Sequence, residues 1–251
     1  MSKIIAITNQ KGGVGKTTTV INLACALHNR GKRILVVDFD PQGNCTSGMG
    51  VDKETRPNAY DLMSDAALTP QAIIKTPFGD LLPCNKAMAG AAVELVDIEN
   101  REFLLKKALD TVKENYEYIF IDSPPSLELL TLNALCAADS AIVPLQCEYF
   151  AMEGLSDLMT TVKMINKKLN PRLEIDGVVL TMFDSRTKLS EQVENEIRCY
   201  FGNRVYETRI PRNVRVSEAP SHGKPVIQYD RMSKGARAYL RLASEFLKRQ
   251  G

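Results

Sequence analysis

Gln10-Lys11-Gly12-Gly13-Val14-Gly15-Lys16-Thr17-Thr18 follows the apolar run Lys3–Thr8 (KIIAIT) and leads into Thr17–Asn29, where Ile21, Ala24, Cys25 and His28 share one helical face. A buried strand, a glycine-rich turn and a helix N-terminus in that order make a phosphate-binding loop. Glycines admit backbone conformations closed to other residues and let N–H groups come up against an anion. The helix N-terminus adds free donors and partial positive charge. In this reading Lys16 reaches the β- and γ-phosphates of a nucleotide, Thr17 offers its hydroxyl to Mg2+, and Thr18 falls near the α-phosphate. Gly12, Gly13, Val14 and Gly15 supply backbone amides. The ordinary pattern G-x-x-x-x-G-K-[ST] has glycine where this chain has Gln10. The loop reads instead K-G-G-x-G-K-T, with an additional lysine, Lys11.

Outward from the loop the same alternation repeats. Arg33–Asp38, Glu117–Asp122, Ser140–Leu145 and Ile175–Met182 read as further buried strands. Arg101–Asn115, Leu127–Ala137, Met152–Leu169, Lys188–Phe201 and Lys234–Arg249 read as helices between and after them. Continuous apolar strands alternating with helices predict an α/β fold: a mostly parallel, twisted sheet with helices on both faces, of the P-loop NTPase type. No Ser/Gly-rich linker or internal repeat divides the sequence, so a single domain over residues 1–251 is expected. Residues 41–100 are the least regular stretch. They are expected to form excursions from the carboxyl edge of the sheet, where ligand sites of such folds sit.

Two of the strands deliver acids to that edge. Asp122 closes Tyr118-Ile119-Phe120-Ile121, and a carboxylate after a buried apolar strand beside a phosphate loop holds Mg2+ directly or through water. Pro124 and Pro125 then bar an immediate helix. Asp38 and Asp40 end the second strand and open its loop, near the expected phosphates.

Composition narrows the classes. Apolar residues at 44% and charged residues at 25% are the balance of a globular domain rather than a disordered or membrane-embedded chain. There is no run of 18 apolar residues and no signal-peptide shape at the N-terminus, so a cytoplasmic chain is expected. Cys25, Cys45, Cys84, Cys136, Cys147 and Cys199 form no metal-ligand spacing and read as reduced packing residues. His28 and His222 match no catalytic pattern. The net charge of +2 conceals an asymmetry: residues 201–251 hold 11 Lys/Arg against 4 Asp/Glu. A polyanionic partner is one meaning of that excess and a solvated basic face is the other.

Beyond the loop, the sequence carries Asp38-Phe39-Asp40-Pro41-Gln42-Gly43-Asn44, Ile121-Asp122-Ser123-Pro124-Pro125-Ser126, Pro211-Arg212-Asn213 and Ser217-Glu218-Ala219-Pro220. In order and spacing these segments resemble the ParA/MinD group of deviant Walker-type P-loop ATPases, and within it the ParA/Soj partition proteins, over essentially the whole chain. The resemblance implies Mg2+-dependent hydrolysis of ATP. It implies that Asp40 orients the attacking water and that Asp38 contacts the water shell of the metal. Pro211 and Asn213 are placed beside adenine, through backbone groups and the Asn213 amide. Lys11 is implied to reach across a homodimer interface to the partner's phosphates, so that ATP stabilises a sandwich dimer. That dimer is expected to bind DNA without sequence preference and to dissociate on hydrolysis stimulated by a ParB-like centromere-binding protein. The chain would then be nucleoid-associated. Phe183-Asp184-Ser185-Arg186-Thr187 resembles a segment carrying a DNA-binding arginine, which marks Arg186; Lys188, Arg215, Arg237 and Arg241 are further candidates.

Three other readings compete. A MinD-like membrane-cycling ATPase needs a C-terminal amphipathic helix free to enter lipid. The stripe Ala236, Tyr239, Leu240, Ala243, Phe246 and Leu247 is expected to pack on the sheet instead. An iron–sulfur redox partner is disfavoured because Cys136 and Cys147 lack glycine-flanked contexts. A P-loop synthetase leaves Lys11 and the D-x-D-P-Q motif unexplained.

Overall fold

Ile4, Ile5, Ala6 and Ile7 are buried one after another, so the first strand has to be covered on both faces. The computed structural model describes residues 2–126, 128–148 and 151–251, with Ala92 described by its backbone alone. Its seven strands are β1 (Lys3–Ile7), β2 (Ile34–Asp38), β3 (Ile74–Thr76), β4 (Gly79–Leu82), β5 (Tyr118–Asp122), β6 (Ser140–Gln146) and β7 (Glu174–Thr181). They form one sheet in the order β3-β4-β2-β5-β1-β6-β7. Every pairing is parallel except β3 with β4. The α/β fold expected from the sequence is the one observed.

Residues alternate between two cores. Ala6, Val37, Ile121, Val143 and Leu180 face the helices Leu104–Asp110, Leu129–Ala137, Ala151–Lys168 and Lys188–Phe201. Ile5, Ile7, Val36, Phe120 and Val179 face the opposite way, toward Lys16–His28 and Lys234–Arg249. The C-terminal helix starts at Ser233, whose Oγ accepts the Ala236 N–H at 3.1 Å. Its stripe is in the core: Ala236, Tyr239, Ala243 and Phe246 are buried, and Leu240 and Leu247 pack against them. The Phe246 ring meets those of Tyr118 at 5.2 Å and Phe120 at 5.8 Å. The apolar face that a lipid-seeking helix would expose is therefore engaged. No helix among the described residues is long and apolar enough to cross a membrane.

Two departures from the sequence reading have local causes. Within residues 41–100, β3 and β4 add an antiparallel edge that strands of three and four residues are too short to announce. The expected helix Arg101–Asn115 is α-helical over Leu104–Asp110 alone, between tighter 3-10 turns at Arg101–Phe103 and Lys113–Asn115. Asn100 enters with φ 57°, and Thr111 donates its hydroxyl to the Ala108 carbonyl at 2.7 Å, which tightens the exit. Leu127, with which the next expected helix begins, lies outside the described residues; that helix is observed from Leu129.

Both edges of the sheet are closed to neighbours. On one side β3 is short. On the other, residues 205–211 run along β7 without forming a strand: Tyr206 N–H donates to the Val178 carbonyl at 2.9 Å and Ile210 N–H to Leu180 at 2.8 Å. The same segment delivers Pro211–Asn213 to the carboxyl edge.

Candidate functional site

Register builds the site. β5 lies between β1 and β2, and Asp122 is aligned with Ile7 on one side and Asp38 on the other. The loop after β1 and the acids ending β2 and β5 therefore share one corner of the carboxyl edge. Asn9 opens the loop: its Oδ1 accepts the Lys11 N–H at 3.0 Å, and its Nδ2 donates to the Pro144 carbonyl of β6 at 2.8 Å. Gly13 and Gly15 have φ 74° and 91°, the left-handed region that glycine alone enters without cost. Gly15 caps the helix Lys16–His28 with no side chain, and Thr19 N–H is taken by the Gly15 carbonyl at 2.9 Å. The donors of Lys16, Thr17 and Thr18 are thus left at a bare helix N-terminus.

The two lysines of the loop part company. Lys16 is buried, and its Nζ donates to the Lys11 carbonyl at 3.2 Å. Burial holds its pKa below the usual lysine range, while Asp122 and Asp40 act in the other direction. Lys11 turns outward and pairs with Glu148, which follows β6; each side chain is 44% exposed.

The acids are unequal as well. Asp38 is fully buried and satisfied: its Oδ2 accepts the Thr46 N–H and the Thr46 hydroxyl, both at 2.7 Å, and its Oδ1 the Asp40 N–H at 3.3 Å. Asp40 accepts the Gln42 N–H at 2.9 Å. Asp122 is also fully buried, and its carboxylate oxygens meet no donor but the nearby Thr17 hydroxyl, a contact too loose to count as a formed hydrogen bond. Burial, and then the neighbouring Asp38, raise its pKa well above the carboxylate range, against the smaller opposing effects of Thr17 and Lys16. Asp38 is raised chiefly by burial.

Asp122 and Asp40 act on one buried ammonium, with Asp38 beside Asp122, so the corner holds more acidic groups than basic ones. A divalent cation would match that imbalance, and the Asp122 carboxylate is the group that fits such an ion. No group of three or more His, Cys, Asp or Glu converges into a metal cage among the described residues. Mg2+ takes one or two protein carboxylates and fills its remaining positions with water and phosphate oxygens, a demand that Asp122 would meet.

A cavity of about 280 Å3 runs from Gly13, Gly15 and Thr18 to Pro211 and Asn213, between the apolar walls of Met182, Ile210 and Val216. Asn213 lines it with a buried Oδ1 that has no partner. The structure thus brings Pro211 and Asn213 to one cavity with Gly13, Gly15 and Thr18 of the phosphate loop. A larger hollow of about 490 Å3, lined by Lys32, Arg33, Lys75 and Asp80 among others, lies toward the amino ends of β2 and β4 and includes none of these residues.

The basic candidates lie apart from the cavity. Arg186 is 87% exposed and makes a two-pronged contact with Asp184, at 2.8 and 2.7 Å. Arg215 pairs with Glu218 at 2.9 Å and Asp230 at 3.5 Å. Arg237 and Arg241 surround one hollow with Arg209 and Lys234, and Lys188 is exposed at the start of its helix.

Sequence reading missed Thr46, Glu148 and Thr181, the last of which donates to the Val14 carbonyl at 2.7 Å. Thr46 follows Asp38 by eight residues and Thr181 lies far from the loop in sequence. Neither carries a motif signal.

A protein-family model described as an AAA domain matches residues 2–175. Over 248 residues, covering 98% of both chains, the sequence is 56% identical to the sporulation initiation inhibitor protein Soj of Bacillus subtilis. It is 49% identical to the chromosome-partitioning ATPase Soj of Treponema pallidum over 253 residues, 100% of this chain and 99% of that one. Among solved structures, the cobyrinic acid a,c-diamide synthase of Mycobacterium smegmatis with bound ADP and magnesium superposes with a TM-score of 0.87. That match is at 36% identity over 100% of this chain and 96% of the other.

Proposed function

The chain belongs to the Soj/ParA family of chromosome-partitioning ATPases, and from that premise we propose that its working state is an ATP-bound homodimer. This dimer binds DNA without sequence preference in the cytoplasm, on the nucleoid. Hydrolysis, stimulated by a ParB-like centromere-binding partner, dissolves it.

Mg2+, when bound, would supply charge neutralisation at the transferring phosphoryl group. The chain does the rest by position. The amides of Gly12–Gly15 and the helix N-terminus take phosphate oxygens, with Lys16 as their fixed cation. The Thr17 hydroxyl and Asp122 would hold the metal, and Asp38, beside Asp122, would act on it indirectly. The Asp40 carboxylate accepts a hydrogen bond from the attacking water and orients it. Pro211 and Asn213 close on adenine.

The observation that carries the dimer is the outward course of Lys11. Its ammonium is on Glu148 at the rim rather than over its own loop, so it is placed to serve a nucleotide bound by a facing copy. A cation supplied in this way is worth roughly 10³–10⁵ in rate. Hydrolysis removes the phosphate that both copies share, and the population shifts back to monomers.

The test combines light scattering with a DNA titration in ATP, in ADP and without nucleotide. The wild-type chain should dimerise and bind DNA in ATP alone. Lys11→Ala should bind ATP but hydrolyse it about 10³-fold more slowly, with a weaker dimer. Hydrolysis by that variant at the wild-type rate would remove the trans role of Lys11.

A further inference from the structure

β7 ends against the phosphate loop at one atom. Thr181 is buried, and its Oγ1 donates to the carbonyl of Val14 at 2.7 Å across 167 residues of sequence. Its methyl side flanks the next residue: a Cβ placed on Gly15 would lie 3.8 Å from Thr181 Cγ2. The side chain therefore touches both ends of the Val14–Gly15 peptide. In a trans peptide the C=O and N–H point in opposite directions. Holding the Val14 carbonyl on β7 aims the Gly15 N–H the other way, into the concave side of the loop. Gly15, at φ 91°, has no side chain to resist a rotation of that peptide. The restraint has to come from outside the loop, and Thr181 provides it.

The residues after Thr181 extend the same contact. Met182 has φ 47°, a left-handed conformation that residues with a Cβ rarely adopt, and it lines the cavity leading to Asn213. Phe183 N–H donates to the Ile210 carbonyl at 2.9 Å, tethering the segment that runs on to Pro211. Three consecutive residues thus touch the phosphate loop, the cavity wall and the base segment.

We propose that Thr181 is a positioning residue for nucleotide binding: its hydroxyl orients the Val14–Gly15 peptide so that the Gly15 amide meets the polyphosphate. The proposal rests on the nucleotide reading of the site and names a residue outside every motif of that site.

Calorimetry with Mg-ADP, Mg-ATP and adenosine separates this role from a structural one. Thr181→Val keeps the shape and removes the donor, leaving the Val14 carbonyl buried and unpaired. Its affinity for both phosphorylated ligands should fall about tenfold, while adenosine, which has no phosphate, binds as before. Thr181→Ser restores the hydroxyl and should return ADP affinity to within about twofold of wild type. If Thr181→Val does not fold, Thr181→Ala lacks the same donor and is read the same way. Unchanged ADP affinity in the donorless variant overturns the proposal. So does an equal loss for adenosine, or a Thr181→Ser variant as weak as Thr181→Val. A wild-type chain that binds no ADP would instead remove the nucleotide reading itself.

Discussion

Lys16 is buried at the head of its helix, under the influence of Asp122 and Asp40, whereas Arg186 stands in solvent with both prongs of its guanidinium on Asp184. Around the phosphate loop charge is enclosed and incompletely met: the Asp122 oxygens have no formed hydrogen bond and acidic groups outnumber basic ones. On the basic flank charge is exposed and in part already answered, Arg186 by Asp184 and Arg215 by Glu218. Burying an unpaired polar group is costly, so such a group persists where a ligand of fixed geometry completes it. Exposed ion pairs contribute about 0–1 kcal/mol and are readily exchanged. A phosphate can take the place of Asp184 with little loss. One region is built for a single ligand in one pose; the other suits a polyanion met by many interchangeable contacts.

The largest expected effect tests the enclosed side. Lys16→Ala should weaken ATP binding by about 100-fold or more, because the phosphates lose a buried charge-assisted partner. Fluorescent-nucleotide titration measures it, and near-normal affinity would erase the contrast between the regions.

A smaller effect sharpens the comparison through pH. Burial and Asp38 place the Asp122 pKa well above its unfolded value, which is near 3.9. The stability this group contributes is therefore fully present below that unfolded value and is lost as pH rises through the folded one. Asparagine does not titrate. Asp122→Asn should match wild type near pH 4 and exceed it increasingly toward pH 7.5, by about 1 kcal/mol or more. For a chain of this size that is roughly 2–4 °C in Tm, read by thermal melts across pH, while Mg-ATP hydrolysis is lost. A difference between the two chains that does not grow with pH would mean that Asp122 is not held as a strained, incomplete site.

The smallest effect belongs to the exposed side. Arg186→Ala removes one cation per copy, so the slope of log DNA affinity against log salt should fall by about 1–2 units for a dimer. The loss should be alike on any duplex, because phosphates carry no sequence information. ATP hydrolysis without DNA should stay unchanged. A loss confined to one duplex sequence would make this flank a built site like the other.

The same contrast decides what could be read in the sequence. Residues that hold phosphates must follow one another along a turn, so Gly12 to Thr18 announce themselves as a contiguous motif. The strands and helices on which that motif rests are long enough to show their period. Asp122 and Asp38 were legible as acids ending strands, but their adjacency is a matter of sheet register. Thr181, Thr46 and Glu148 act across long sequence distances, where no local pattern records them. Pro211 and Asn213 were reached through family likeness alone, and the chain itself shows their place by folding them beside Gly13 and Thr18. The break at Thr111 in the expected helix turns on a single hydroxyl choosing a backbone carbonyl.

Residues 205–211 along the outer side of β7 have a bearing on assembly as well as on the base. An unpaired strand edge invites any other strand, including an identical one, and such contacts ignore ligands. Here the edge is occupied by Tyr206 and Ile210 in irregular backbone, and the opposite edge is a strand of three residues that carries an exposed Lys75. Stray sheet-to-sheet polymerisation is thereby blocked at both ends. Copies brought together along a nucleic acid, in the state proposed above, would then meet through the nucleotide face rather than through sheet edges.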